Sequence, residues 1–327
     1  MTEMYAIGHI TEDVQPEPHL GGAVAYSAVT AARLGVKACI VTKAPADHPY
    51  LRELEGLGVD TSLIPVADKD KWDKITTFNN FYDDAGRRKQ FAYNIQEDIS
   101  ASELDPIVDQ IPDGALILAA PILDEVEPEA FSLLANKGRL VITPQGYFRR
   151  VGKNGEIKRH PWQKLSALSQ AELIILSEED ITFNGEMDED YLERIRGYCP
   201  QVVLTQGSNG LTVYSTAEKP KHIAGFSMHG NEIISPTGAG DSCAAALIWS
   251  YLKNNNLRQA GIFGAFYPAL KLMGIGGGRR GVEALPTLEQ VVSYIEVNQS
   301  RVKDFLALNK LSIAKFMEQL EPERITE

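Results

Sequence analysis

Ser235-Pro236-Thr237-Gly238-Ala239-Gly240-Asp241 runs directly into an apolar stretch, Ser242-Cys243-Ala244-Ala245-Ala246-Leu247-Ile248, that continues to Leu252. Small residues let a backbone turn tightly and aim consecutive N–H groups at one point, and the positive end of a following helix adds to the pull on an anion. Gly238 through Gly240 therefore read as a phosphate cradle. Asp241 has two readings by residue chemistry alone: it caps the helix, as Asp often does, or it takes a proton from an attacking hydroxyl beside a bound phosphate. The helix after it is apolar at its start, which places it in the interior and makes this turn a boundary between core and ligand.

Outward from that turn, short apolar runs alternate with helical patterns. Tyr5-Ala6-Ile7, Ala38-Cys39-Ile40-Val41, Ala115-Leu116-Ile117-Leu118, Leu140-Val141-Ile142, Leu173-Ile174-Ile175-Leu176 and Val202-Val203-Leu204 read as buried parallel strands. Ala23 to Leu34, Glu127 to Asn136 and Asp188 to Tyr198 read as covering helices. The order predicts a doubly wound α/β fold, a mostly parallel sheet flanked by helices, with ligands at the carboxyl ends of the strands. Ile75 to Ile95 departs from that rhythm and reads as a β-hairpin suited to a small lid, turning at Asp83-Asp84-Ala85-Gly86. The Asp68-Lys69-Asp70-Lys71 charge run reads as a solvated loop.

The chain has 327 residues, 44% hydrophobic and 23% charged, with a formal net charge of −12. That composition supports a sizeable core, and the negative charge argues against nucleic acid or an anionic membrane as a bulk partner. Three scattered cysteines, Cys39, Cys199 and Cys243, fit free thiols, and the absence of a long apolar run predicts a cytoplasmic protein. Gly276-Gly277-Gly278-Arg279-Arg280-Gly281 matches a dinucleotide pattern in letters but comes after a helical run, so a dehydrogenase is disfavoured.

Further polar positions sit at the ends of strands. Asp13 comes after the first and serves either a turn or substrate hydroxyls, while Gly21-Gly22 opens the helix that ends at Ala31-Ala32-Arg33-Leu34-Gly35. Ser177 and Asp180 have the spacing of a helix N-cap and its reciprocal partner, and Asp180 is also a candidate Mg²⁺ carboxylate acting through water. Thr205-Gln206-Gly207-Ser208-Asn209-Gly210 forms a turn between two strand-like runs.

Asp13, Gly21-Gly22, Ala-Arg-Leu-Gly, the Thr205 to Gly210 loop and Thr237-Gly238-Ala239-Gly240-Asp241, in this order, resemble the ribokinase-like (PfkB) carbohydrate kinases over about residues 4–295. The resemblance implies a kinase domain over residues 1–297, with a β lid at about 72–96 plus a short 14–20 segment, and a helical tail over 298–327. It implies ATP and Mg²⁺ as cofactors, a small sugar-like acceptor, and a monomer or homodimer. By the same resemblance Asp241 is the catalytic base, with the N–H groups of Gly238, Ala239 and Gly240 as the anion hole. Asp13, Gly21, Gly22 and Tyr26 face the acceptor. Ser177, Thr205, Gly207, Gly210, Thr237 and Arg149 border ATP, and Asp180 serves the metal.

Several positions depart from the family pattern. Tyr26 replaces the usual Asn, Asp180 replaces a Glu, and Ser235-Pro236 replace a frequent Asp and Thr, so a monovalent-cation site is not carried over to this chain. The short gap from Asp13 to Gly21 predicts a lid made mainly of the Ile75 to Ile95 hairpin. The same departures motivate an alternative, a nucleotide-binding or regulatory protein without turnover. Within kinases, the acceptor classes left open are sugars, sugar acids, nucleosides and cyclitols.

Overall fold

The structure, a computed structural model, describes residues 3–15, 17–82, 88–278 and 280–321. The hairpin tip at 83–87, including Arg87, as well as Arg279 and the final six residues, lie outside the described residues. A nine-stranded sheet forms the centre, in the order Glu218–Ile223, Leu211–Ser215, Gln201–Thr205, Leu173–Ser177, Arg139–Ile142, Leu116–Ala119, Glu3–Ile7, Lys37–Lys43, Val59–Ile64. The strands from Gln201–Thr205 to Val59–Ile64 are parallel, and the other two close one edge as an antiparallel pair.

Side chains alternate between two buried faces, as the two-residue period of a strand requires. Leu116 and Leu118 enter one core, shared with the helices Ala23–Arg33, Ala239–Asn254 and Leu257–Leu272. Ile117 and Ala119 enter the other, shared with Ala101–Val108, Phe131–Lys137 and Glu189–Arg196. Both faces are covered, which is why these strands read as continuous apolar runs.

Local chemistry sets the helix ends. Asp188 starts Glu189–Arg196 by accepting the Tyr191 N–H at 2.8 Å. The run expected to be helical from Glu127 begins as a tight 3-10 turn, Pro128–Ala130, before Phe131–Lys137. Ser177 corrects a further expectation. Its hydroxyl accepts the Glu179 N–H at 3.2 Å, but it caps a turn rather than a helix, and the chain continues as the hairpin Thr182–Phe183 and Glu186–Met187.

A four-stranded sheet stands apart from the central one, in the order His19–Gly21, Thr11–Asp13, Thr76–Tyr82, Arg88–Tyr93. Thr11–Asp13 runs parallel to Thr76–Phe78, so the two short early strands extend the hairpin that was expected to form the lid nearly by itself. Three-residue strands are too short to show an alternating pattern in sequence. The charge run is an exposed 3-10 turn, Lys69–Lys71, with the Asp68 carboxylate accepting the Asp70 N–H at 3.0 Å.

Beyond residue 298 the chain folds back onto the body. Phe305 of the helix Gln299–Leu308 meets Phe226 and Phe266, with ring centroids 5.5 and 5.9 Å away, and Phe316 meets Phe266 at 5.3 Å. Buried Asn309 exchanges hydrogen bonds with the Ala224 backbone, accepting at 2.9 Å and donating at 3.3 Å. The glycine-rich run follows the helix Leu257–Leu272 and leads into a 3-10 turn, Gly281–Ala284, so among the described residues a helix stands where a dinucleotide site needs a strand. Among the described residues no helix is long and apolar enough to cross a membrane.

Candidate active site

The turn at Gly238 and the helix Ala239–Asn254 are built as one unit. Gly238 is the helix N-cap, in the left-handed region with φ 77°. A β-carbon there would lie 2.2 Å from a ring carbon of Tyr26, so both the backbone angle and the packed ring require glycine. On the outer side, a β-carbon at Gly240 would meet nothing within 4 Å. The Tyr26 ring therefore backs the turn, and Gly240 leaves its front open.

Gly238, not Asp241, holds the capping position, and Asp241 lies in the first helical turn. That placement removes the purely capping reading of Asp241 and keeps its carboxylate at the positive end of the helix. The first N–H groups of a helix have no acceptor within it. Of the three assigned to the anion hole, that of Ala239 donates to the Pro236 carbonyl at 3.3 Å, a long bond that a phosphoryl oxygen would compete for.

Half-buried Asp241 accepts the Gln145 side-chain amide at 3.2 Å, and the Gln145 carbonyl oxygen accepts from Arg149 at 2.9 Å. This pair of bonds fixes which way the Gln145 amide faces. The segment is held from behind: Tyr147 stacks on Trp162 with centroids 4.2 Å apart and donates to the Val126 carbonyl at 2.6 Å. Buried aromatics thus anchor a 3-10 turn, Pro144–Phe148, whose polar residues reach the site. Arg149 also donates to the Ile122 carbonyl at 3.3 Å.

Asp180 belongs to the same neighbourhood. Its carboxylate accepts the Ser177 N–H at 2.9 Å. Burial raises its pKa, while the Arg149 charge and the Ser177 N–H act in the opposite direction. Among the described residues no group of three or more His, Cys, Asp and Glu side chains is placed to hold a metal ion. Mg²⁺ carried on ATP does not need such a group, because that ion keeps several waters and takes most of its ligands from phosphates.

Thr205 ends a sheet strand at the same carboxyl edge as Ser177, paired with it in register. Gly207 begins the 3-10 turn that leads through Gly210 into the antiparallel strand Leu211–Ser215. Asp13 is buried in the small sheet, with one carboxylate oxygen 3.9 Å from the His19 ring nitrogen. A β-carbon at Gly21 would come within 2.9 Å of that carboxylate, so the bare backbone makes room for it. Gly22, with φ 97°, then starts the helix Ala23–Arg33 that carries Tyr26 beneath Gly238. One helix therefore ties the Asp13 region to the anion turn.

Sequence alone does not single out three residues of this neighbourhood: Gln145, His19 and Lys271. Lys271 is almost fully buried and donates from its ammonium to the Ser235 carbonyl at 2.9 Å and to the Thr237 carbonyl. Its only sequence signal is one charge inside the apolar run Ala269-Leu270-Lys271-Leu272-Met273.

Known proteins share this sequence pattern and fold. A model described as pfkB family carbohydrate kinase matches residues 8–276. The nucleoside kinase of Methanocaldococcus jannaschii is 34% identical over 113 residues, a match covering 35% of this chain and only 33% of that protein. The 5-dehydro-2-deoxygluconokinase of Lacticaseibacillus casei is 22% identical over 312 residues, covering 85% of this chain and 86% of the relative. In fold, the chain is similar to a pyrophosphate-dependent kinase in the ribokinase family, complexed with a pyrophosphate analog and myo-inositol. That likeness has a TM-score of 0.67 at 22% identity and covers 82% of this chain and 94% of the other. A family model that spans most of the sequence, together with a glycine turn at the head of a buried helix, shows that this chain belongs to the pfkB family of carbohydrate kinases.

Proposed function

We propose that the protein transfers the terminal phosphoryl group of ATP to a hydroxyl of a small polyhydroxylated acceptor, with Asp241 as the base. The observation that carries this reading is the placement of Asp241 in the first helical turn, next to a glycine N-cap and steered by the Gln145–Arg149 pair. A carboxylate held there has a proton to remove and an anion site beside it. The N–H groups of Gly238, Ala239 and Gly240 stabilise charge on the phosphoryl oxygens, and Arg149 adds a cation. Asp180 is the residue that would hold Mg²⁺ through water, and the ion supplies charge neutralisation on the phosphates. Thr237, Ser177, Thr205, Gly207 and Gly210 border the nucleotide. Asp13, Gly21 and Gly22 hold the acceptor, and Tyr26 fixes the depth of its pocket from below the turn. The small β-sheet covers the acceptor and excludes water.

The related proteins named above act on a nucleoside and on a dehydro-deoxygluconate, and the solved one is complexed with myo-inositol. Sugars, sugar acids, nucleosides and cyclitols therefore make up the acceptor panel. ADP release is measured with Mg²⁺-ATP over that panel, for the native chain and for Asp241→Asn. At least one acceptor supports turnover, and the substitution lowers kcat by about 10²- to 10⁴-fold with unchanged melting temperature. Full turnover by Asp241→Asn, or ATP binding with no turnover on any acceptor, would overturn the reading.

A further inference from the structure

Ser235 to Thr237 is held from underneath by Lys271, on the helix Leu257–Leu272. Its ammonium donates to the carbonyls of Ser235 and Thr237, and it lies 5.7 Å from the centroid of the Tyr26 ring. The Ile234 N–H donates to the Leu272 carbonyl at 2.8 Å, so the loop is fastened to the end of that helix at three points. Burying an ammonium is costly unless acceptors replace its water, and here backbone oxygens and an aromatic face do so. A charge with so few exposed atoms needs a purpose in the fold.

The geometry points to Lys271 as a built-in monovalent cation, a positioning residue whose ammonium occupies the carbonyl cage under the anion turn and makes a bound potassium ion unnecessary. The inference rests on the kinase reading. A peptide group is planar, and in the trans form its C=O and N–H point in opposite directions. The Thr237 carbonyl and the Gly238 N–H belong to the same peptide group. Pinning that carbonyl down onto Lys271 therefore aims the Gly238 N–H away from the lysine, toward the open face where the phosphoryl group is received. The ammonium also adds positive charge behind the turn. Carbonyl oxygens given to Lys271 cannot at the same time serve as ligands of a free cation, so the residues present do not fit an exchangeable ion.

The test begins with the native chain. Turnover is measured in potassium, sodium and choline buffers of equal ionic strength, and crystals are grown with thallium(I) as a potassium mimic. The expected result is turnover that agrees within about twofold in the three buffers, with no anomalous peak at the Ser235 and Thr237 carbonyls. Loss of most activity in choline, or a thallium peak at those carbonyls, overturns the inference. The diffraction readout holds even if no acceptor is found, so failure of the kinase reading is distinguishable from failure of this one. Lys271→Met keeps the shape of the side chain and removes its charge. It lowers kcat by about tenfold or more while KM for the acceptor stays nearly constant, the pattern of a group that acts on the transition state. A folded Lys271→Met protein with native kcat would overturn the inference as well.

Discussion

Burial pulls the Lys271 ammonium down to about 8, with Asp241 acting in the opposite direction, whereas an ordinary lysine titrates near 10.5. Between those values the unfolded chain binds a proton that the folded chain has released, so the contribution of Lys271 to folding stability rises with pH across that window. On the proposed mechanism turnover is expected to move the other way, because the charge behind Gly238 would strengthen the hold on the phosphoryl group. Because the buried thiols of Cys39, Cys199 and Cys243 are pushed up and act with the opposite sign in both proteins, urea unfolding from about pH 7 to 10 is expected to show the native chain gaining stability relative to Lys271→Met as pH rises, and kcat is expected to fall with pH more steeply in the native chain than in the variant. Among the described residues, the groups facing the ammonium are Asp241 from the neighbouring helix and the Tyr26 ring as a neutral partner. At this scale the glycine turn is legible in the sequence, because a left-handed N-cap packed against the Tyr26 ring leaves few choices of residue, and Asp241 stands out as the one carboxylate at the head of an apolar run. It hides Lys271 and Gln145, whose importance comes from burial and from partners far along the chain.

The helix Ala239–Asn254 carries the turn at its start and Leu257–Leu272 carries Lys271 at its end, and these two ends meet, so the packing of the pair sets the spacing between the turn and Lys271. Gly264 permits the close approach: a β-carbon there would lie 2.8 Å from the Leu247 β-carbon. Gly264→Ala is expected to cost about 1–3 kcal/mol in urea unfolding and to lower turnover as the helices are pushed apart. The buried strands were legible because each is an unbroken apolar run covered on both faces. Val59–Ile64 was not, since Asp60, Thr61 and Ser62 interrupt it at the sheet border. Thr11–Asp13 and His19–Gly21 stayed hidden for want of length, and their pairing with a distant hairpin is a tertiary fact. Ser177 and Asp180 have the chemistry to open a helix, yet the hairpin Thr182–Met187 directly after them makes their hydrogen bonds those of a turn.

Across the whole molecule, the helices after residue 298 complete a core that begins at the first strand. Met4, Phe305 and Phe316 belong to one buried cluster. Phe305→Ala is expected to lower stability by about 3–5 kcal/mol, and the urea transition should remain single and fall as a whole. A split transition would mean that the last helices unfold by themselves. The strand Glu218–Ile223 forms one margin of the large sheet, with Glu218, Lys219, Pro220 and His222 exposed. Proline has no amide hydrogen to offer, and ionic groups on either side of it keep their hydration. Foreign backbone laid against this margin meets a missing rung and a wet fringe, so the architecture guards itself against growing into fibres at its own unfinished side.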